Sequence, residues 1–122
     1  MSFLSGNDDI RSANRGVVKY YSTVTFGATG AVSSQSSKGV TVTRIGTGIY
    51  KFAFTEKPAG FLYAGFIVDN KGTVRDNTFE IKTTYTVASG SFEVHLLDGG
   101  SAADPTSGDL MHAEITVRNT DF

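Results

Sequence analysis

The sequence predicts an all-β domain: an antiparallel β-sandwich of jelly-roll type with an extended N-terminal arm. Three observations carry this prediction. Short runs rich in Val, Ile, Thr, Tyr and Phe recur from Val17 onward, and most of them alternate apolar with polar residues. Turn sequences built on Gly, Asn, Asp or Pro punctuate these runs roughly every 8–14 residues, the spacing of sandwiches and small barrels. No stretch carries the apolar spacing of an amphipathic helix.

Beyond Met1, residues 1–16 hold only Phe3, Leu4 and Ile10 as large apolar groups among Ser, Gly, Asn and Asp. Such a segment builds no core element by itself. It reads as an arm that orders on a partner, with Phe3, Leu4 and Ile10 as anchors and Arg11 and Arg15 as polar clasps; a loose terminus is the plainer alternative. Val17–Phe26 (VVKYYSTVTF) begins the β-domain, residues 17–122, with Val18, Tyr20, Val24 and Phe26 on one face and Ser22 interrupting them. GATG at Gly27–Gly30 turns the chain into a short strand at Ala31–Ser34, followed by a polar link.

Val40–Ile45 alternates, Gly46-Thr47-Gly48 turns, and Ile49–Phe54 puts Tyr50, Phe52 and Phe54 on one face. After the break at Pro58 and Gly60, Phe61–Asp69 is almost wholly apolar, as in a strand buried on both faces or crossing an edge. Asp69-Asn70-Lys71-Gly72 is a hairpin-turn sequence. Thr78–Ala88 sets Phe79, Ile81 and Thr83 against Glu80, Lys82 and Thr84. Ser91–Leu97 turns Phe92, Val94 and Leu96 inward, with Glu93 and His95 outward. A Gly/Ser/Asp/Pro loop over Asp98–Asp109 leads to Leu110–Arg118, where Met111, Ala113, Ile115 and Val117 oppose His112, Glu114, Thr116 and Arg118.

At 122 residues the chain is long enough for one domain with a real core. With no Cys, disulfide scaffolds, Cys-ligated metals and thiol nucleophiles are excluded. A net charge of −1 gives no basic footprint for nucleic acid. The longest apolar run, Phe61–Val68, falls far short of the about 20 residues that span a bilayer. The start lacks the apolar core of a signal peptide, so a soluble protein made in the cytosol is expected. Residues 1–60 carry seven basic groups against three acids, while the rest carries four against nine. This split reads as ordinary solvated faces, or as charge that guides docking between subunits.

Few side chains are candidates for chemistry. A hairpin of the last two strands would set His95 opposite His112 and Glu93 opposite Glu114, a zinc or pH-sensing group; outward polar positions on alternating strands are the plainer reading. Asp98, Asp104 and Asp109 share one loop but lack the spacing of a calcium loop, and Asp69–Asn77 reads as turn chemistry. No nucleophile elbow or phosphate-binding Gly loop is present. Tyr20, Tyr21, Tyr63 and Tyr85 would stack on sugars or bases if exposed, and otherwise serve as core or interface residues. No catalytic residue, metal ligand or cofactor is expected.

Two segments resemble a module of small tailed-phage and prophage virion proteins. One is GVTVTRIGTGIYKFAF (Gly39–Phe54), preceded by GATGAVSSQSSKG; the other is DGGSAADPTSGDLMHAEITVRNT (Asp98–Thr120). The shared elements are T-R-x-G-T-G-x-Y before an aromatic strand and A-D-P-x-x-G-D before a final strand closing on R-N. They are signatures of fold, with turns at Gly46, Gly48 and Pro105 and Tyr50 packed behind the first of these. The resemblance implies a non-enzymatic virion component. The first expectation is a capsid decoration (cement) protein: a homotrimer bound to the major capsid protein, with no membrane or nucleic-acid partner. A tail, neck or fibre protein and a glycan-binding module for host recognition are the alternatives. In the cement reading, residues 1–16, up to about 50–55 Å when extended, reach a neighbouring subunit.

Overall fold

The computed structural model describes residues 16–119. The arm residues proposed to bind a partner, Phe3, Leu4, Ile10, Arg11 and Arg15, lie outside the described residues. Nine strands follow in order: β1 (Val17–Phe26), β2 (Val32–Ser37), β3 (Val40–Gly46), β4 (Ile49–Phe54), β5 (Gly60–Asp69), β6 (Asn77–Thr86), β7 (Ser91–Asp98), β8 (Ser101–Ala102) and β9 (Leu110–Arg118). The only helical turn among the described residues is a 3-10 turn at Ala28–Gly30.

The strands form two antiparallel sheets packed face to face, ordered β2-β1-β9-β5 and β3-β4-β7-β6, with β8 appended to β7. This is the expected β-sandwich. Three of its pairs, β1–β2, β3–β4 and β6–β7, are local hairpins. They leave the jelly-roll part of the expectation without support.

The core forms where the inward phases of the two sheets meet. Val24 and Phe26 from β1 and Met111, Ala113, Ile115 and Val117 from β9 face Val40, Val42, Tyr50, Phe52, Phe92, Val94 and Leu96. Full burial of each large apolar side chain contributes about 1.5–3 kcal/mol. The Phe52 ring stacks on Phe92 with centroids 5.1 Å apart and planes 9° from parallel. Ser22 interrupts the apolar face of β1 at a tolerable cost, because its hydroxyl meets the Ser37 hydroxyl at 2.5 Å.

Three expectations need correction, and one open alternative, the place of the run at 61–69, is decided. β7 and β9 are not hairpin partners. β7 pairs with β4 and β6, and β9 lies in the other sheet between β1 and β5. His95 therefore sits opposite Ile49 and Glu80, whereas His112 sits opposite Thr23 and Ile67. Residues 69–77 do not close a hairpin either, because β5 and β6 belong to different sheets. The connection is held by Asp69 accepting from the Lys71 amide at 3.0 Å and by an Asn70–Asn77 side-chain bond at 2.9 Å. The apolar run at 61–69 takes the edge of its sheet, with Leu62, Tyr63 and Ile67 exposed. Finally, β6 is irregular between Ile81 and Thr83. Thr83 therefore leaves the phase of Phe79 and donates to Glu93 at 3.3 Å, and a second irregularity between Thr83 and Thr86 returns Tyr85 to the inward face.

Candidate functional site

Three places gather polar or exposed aromatic groups: one end of the sandwich, the outer face of the β1-β9-β5 sheet, and the side where β5 and β6 lie.

The first joins the segments that carry the virion resemblance. Asp104, from the loop before β9, accepts from Arg44 Nε at 3.1 Å and from Arg44 Nη2 at 2.8 Å, a forked pair with defined geometry. Asp104 Oδ1 also accepts the Gly48 amide at 2.9 Å. Gly48 brings its own backbone against the same loop: a Cβ there would lie 2.7 Å from both Ala103 N and Leu96 O, at a φ of +66°. Behind them, the buried Tyr50 hydroxyl donates to Gly30 O at 2.6 Å. Gly30 leaves room for Asp104, since a Cβ would stand 2.7 Å from Asp104 Oδ1. Three turns distant in sequence are thus tied together at one end of the fold.

The electrostatics follow from these bonds. The Asp104 carboxyl is held below its usual range, first by the Arg44 hydrogen bond, against the opposing effect of burial. The same bond holds the Arg44 guanidinium above its ordinary value. Burial above all pushes the Tyr50 phenol up, with the Asp104 charge adding to it. A carboxylate engaged by three donors and a phenol kept neutral are poor bases and nucleophiles. The group is a fastening.

The two histidines stay apart, each with its own neighbour: His95 Nδ1 lies 3.5 Å from Glu80, and His112 Nδ1 lies 3.2 Å from the Thr23 hydroxyl. The carboxylates of the Asp98–Asp109 loop do not converge. Asp104 is engaged by Arg44, while the buried Asp109 accepts the Thr106 amide at 2.9 Å. Among the described residues, no three His, Cys, Asp or Glu side chains are grouped to hold a metal ion.

Of the four tyrosines singled out, Tyr85 is buried and donates to Pro58 O at 2.6 Å, and Tyr20 packs on Phe54 at 5.4 Å. Tyr21 and Tyr63 face solvent. They border a hollow of about 370 Å³ on the outer face, floored by Gly65 and Ala113 and flanked by Ile67, His112 and Glu114. The register explains the grouping: Tyr21, Glu114 and Gly65 form one row across β1, β9 and β5, and Thr23, His112 and Ile67 form a neighbouring row. On the remaining side a cleft of about 710 Å³ runs between β5 and β6, with Phe66 and Phe79 stacked in it at 5.0 Å.

Sequence reasoning missed both the Arg44–Asp104 fork and the outer hollow. The fork had one available signal: both residues fall within the two motifs of the resemblance. The hollow had none, since the neighbours of β9 are set by tertiary pairing. The chain matches no protein-family model, no curated protein and no solved structure.

Proposed function

We propose that this chain is a structural, non-enzymatic component of a tailed-phage virion, and specifically a capsid decoration protein that seats on the lattice of the major capsid protein. The observation that supports this best is the fastening at the end of the sandwich. The motif residues Arg44, Gly48, Tyr50 and Asp104 are used to hold turns together. A cement protein needs such a stiff body, because its work is to bury area between neighbours without deforming. The exposed Tyr21, Leu62, Tyr63 and Ile67 supply apolar surface for such contact.

The test is co-sedimentation with mature capsids of the phage or prophage that carries the gene, using the full chain and a chain lacking residues 1–16. Saturable binding to capsids, lost on removing the arm, is the expected result. Binding to isolated tails in preference to capsids would replace the decoration role with a tail or neck role. Binding to neither would end the virion reading. Undiminished binding by the truncated chain would remove the arm from it.

One observation favours a second reading, glycan recognition: Tyr21 and Tyr63 flank a hollow that also presents His112 and Glu114. Aromatic faces and a carboxylate suit a sugar ring. Retention on a polysaccharide column, abolished by Tyr63→Ala, would support it.

A further inference from the structure

The geometry points to self-association: two copies of this chain pair edge to edge through β5, about a two-fold axis at Gly65. β5 is a ten-residue strand with β9 on one side only, so its other edge has no strand partner among the described residues. Long edges are normally protected by charge, proline or brevity. β6 carries Glu80 and Lys82, β3 carries Arg44, and β2 (VSSQSS) is polar after Val32. From Gly60 to Val68, β5 carries no charge at all.

The sequence of β5 is complementary to itself about Gly65. Antiparallel pairing there sets Tyr63 of one copy opposite Ile67 of the other, Ala64 opposite Phe66, and Leu62 opposite Val68. Aromatic meets β-branched and small meets large, the favourable cross-strand combinations. Tyr63 and Ile67 are 58% and 68% exposed in the single chain, so the pairing covers the two most open apolar groups of the strand. Gly65 gives the Tyr63 ring its place: a Cβ at Gly65 would lie 3.0 Å from the Tyr63 hydroxyl. Centring the pair on Ile67 would oppose Asp69 to Gly65 and carry Tyr63 past the end of the strand. Centring it on Tyr63 would bring the irregularity between Phe61 and Tyr63 into the middle.

The second sheet fits the same axis. Phe66 of β5 and Phe79 of β6 stack at 5.0 Å, so the two edge strands lie side by side across the cleft that Gly65, Glu80 and Ile81 also line. The two-fold that joins the β5 edges therefore also brings the neighbouring β6 edges toward each other, and these carry charges of both signs: Glu80, 3.5 Å from His95, and Lys82, 3.4 Å from Glu93 within each copy. The self-complementary, uncharged sequence of β5, flanked on β6 by charges of both signs, selects a second copy of this chain as the occupant of this side, ahead of an unrelated strand. An isologous contact of this kind closes on itself as a dimer.

The inference departs from the homotrimer expected of a decoration protein and claims Leu62, Tyr63 and Ile67 for the dimer rather than for capsid contact; its test therefore uses purified full chain in dilute buffer, with no capsid present. Light scattering is expected to give a mass of twice 13.0 kDa, and Ile67→Lys is expected to raise the dissociation constant at least about tenfold with an unchanged circular dichroism spectrum. The chain has no cysteine, so an introduced one reports register cleanly. Gly65→Cys is expected to form a disulfide dimer under mild oxidation, since directly opposed residues lie about 4.5–5.5 Å apart between Cα atoms. Ile67→Cys alone is not, because its two copies would stand roughly 13 Å apart along the strands. If Gly65→Cys fails to fold, a mixture of Tyr63→Cys and Ile67→Cys chains supplies the same readout through a mixed disulfide. A monomer up to the solubility limit, a trimer, or crosslinking by Ile67→Cys as readily as by Gly65→Cys would each overturn the proposal.

Discussion

Replacing Gly48 by alanine tests the fastening most directly, because Gly99 provides a matched control. The two residues have nearly the same backbone, with φ of +66° at Gly48 and +63° at Gly99. Alanine at either position bears the left-handed penalty, roughly 1–2 kcal/mol. At Gly99 nothing lies within 4 Å of an added Cβ, so that penalty is the whole effect. At Gly48 the added Cβ meets Ala103 N and Leu96 O at 2.7 Å and Ala103 O at 3.0 Å, all backbone atoms that cannot swing aside. Relief requires the turn to withdraw by about half an ångström or more, since unstrained carbon contacts lie near 3.5 Å. That withdrawal stretches the Gly48 amide bond to Asp104 at 2.9 Å and the Leu96 amide bond to Gly48 O at 2.7 Å. Losing one charge-assisted and one neutral hydrogen bond adds about 2–4 kcal/mol. Gly48→Ala is therefore expected to cost about 3–6 kcal/mol in all, against roughly 1–2 for Gly99→Ala. For a domain of this size the melting temperature falls about 3–5 °C per kcal/mol, which gives losses of about 9–30 °C and about 3–10 °C. Differential scanning calorimetry of both variants reads the contrast. Melting temperatures within about 3 °C of each other would refute the reasoning, since the close approach would then carry no energy.

Two further predictions concern the same end of the fold. Tyr50→Phe removes the bond to Gly30 O and leaves that buried carbonyl unpaired; a loss of about 1–3 kcal/mol by urea titration is expected, and an unchanged midpoint would remove this bond from the account. Asp104 has a lowered folded pKa, against an ordinary value of 3.8. The stabilisation from its ionised form is thus fully present above that ordinary value and is lost as pH falls through the depressed one. Asp104→Asn is expected to flatten this part of the urea-midpoint curve below about pH 4; a variant curve parallel to that of the unmodified chain would contradict it.

Much of the local structure was legible in the residues themselves. β1, β4 and β9 occupy the expected spans, and every inward and outward assignment along β9 holds, because strict alternation fixes the phase of a strand. Alternation does not choose a strand's neighbours. His95 and His112 have the outward phase expected of them, yet they lie on different sheets, since β9 inserts between β1 and β5. The run at 61–69 was ambiguous for a related reason: an apolar strand is equally compatible with a buried centre and an uncovered edge. Arg44 and Asp104 are sixty residues apart, and nothing in their spacing discloses their meeting. The break in phase along β6 was invisible because Thr83 and Thr84 suit either face.

The position of β9 has a consequence for the birth of the molecule. β9 is the shared partner of β1 and β5, so their common sheet has a gap in the middle until Leu110–Arg118 has emerged from the ribosome. A nascent chain that still lacks β9 can form the hairpins β1–β2 and β3–β4, but it cannot yet close the sandwich over Val24 and Phe26. Closure therefore waits for β9, with rates in the milliseconds-to-seconds range typical of sheets joined by distant segments. Until then the apolar face of β5 depends on dilution, or on chaperones, to stay out of trouble.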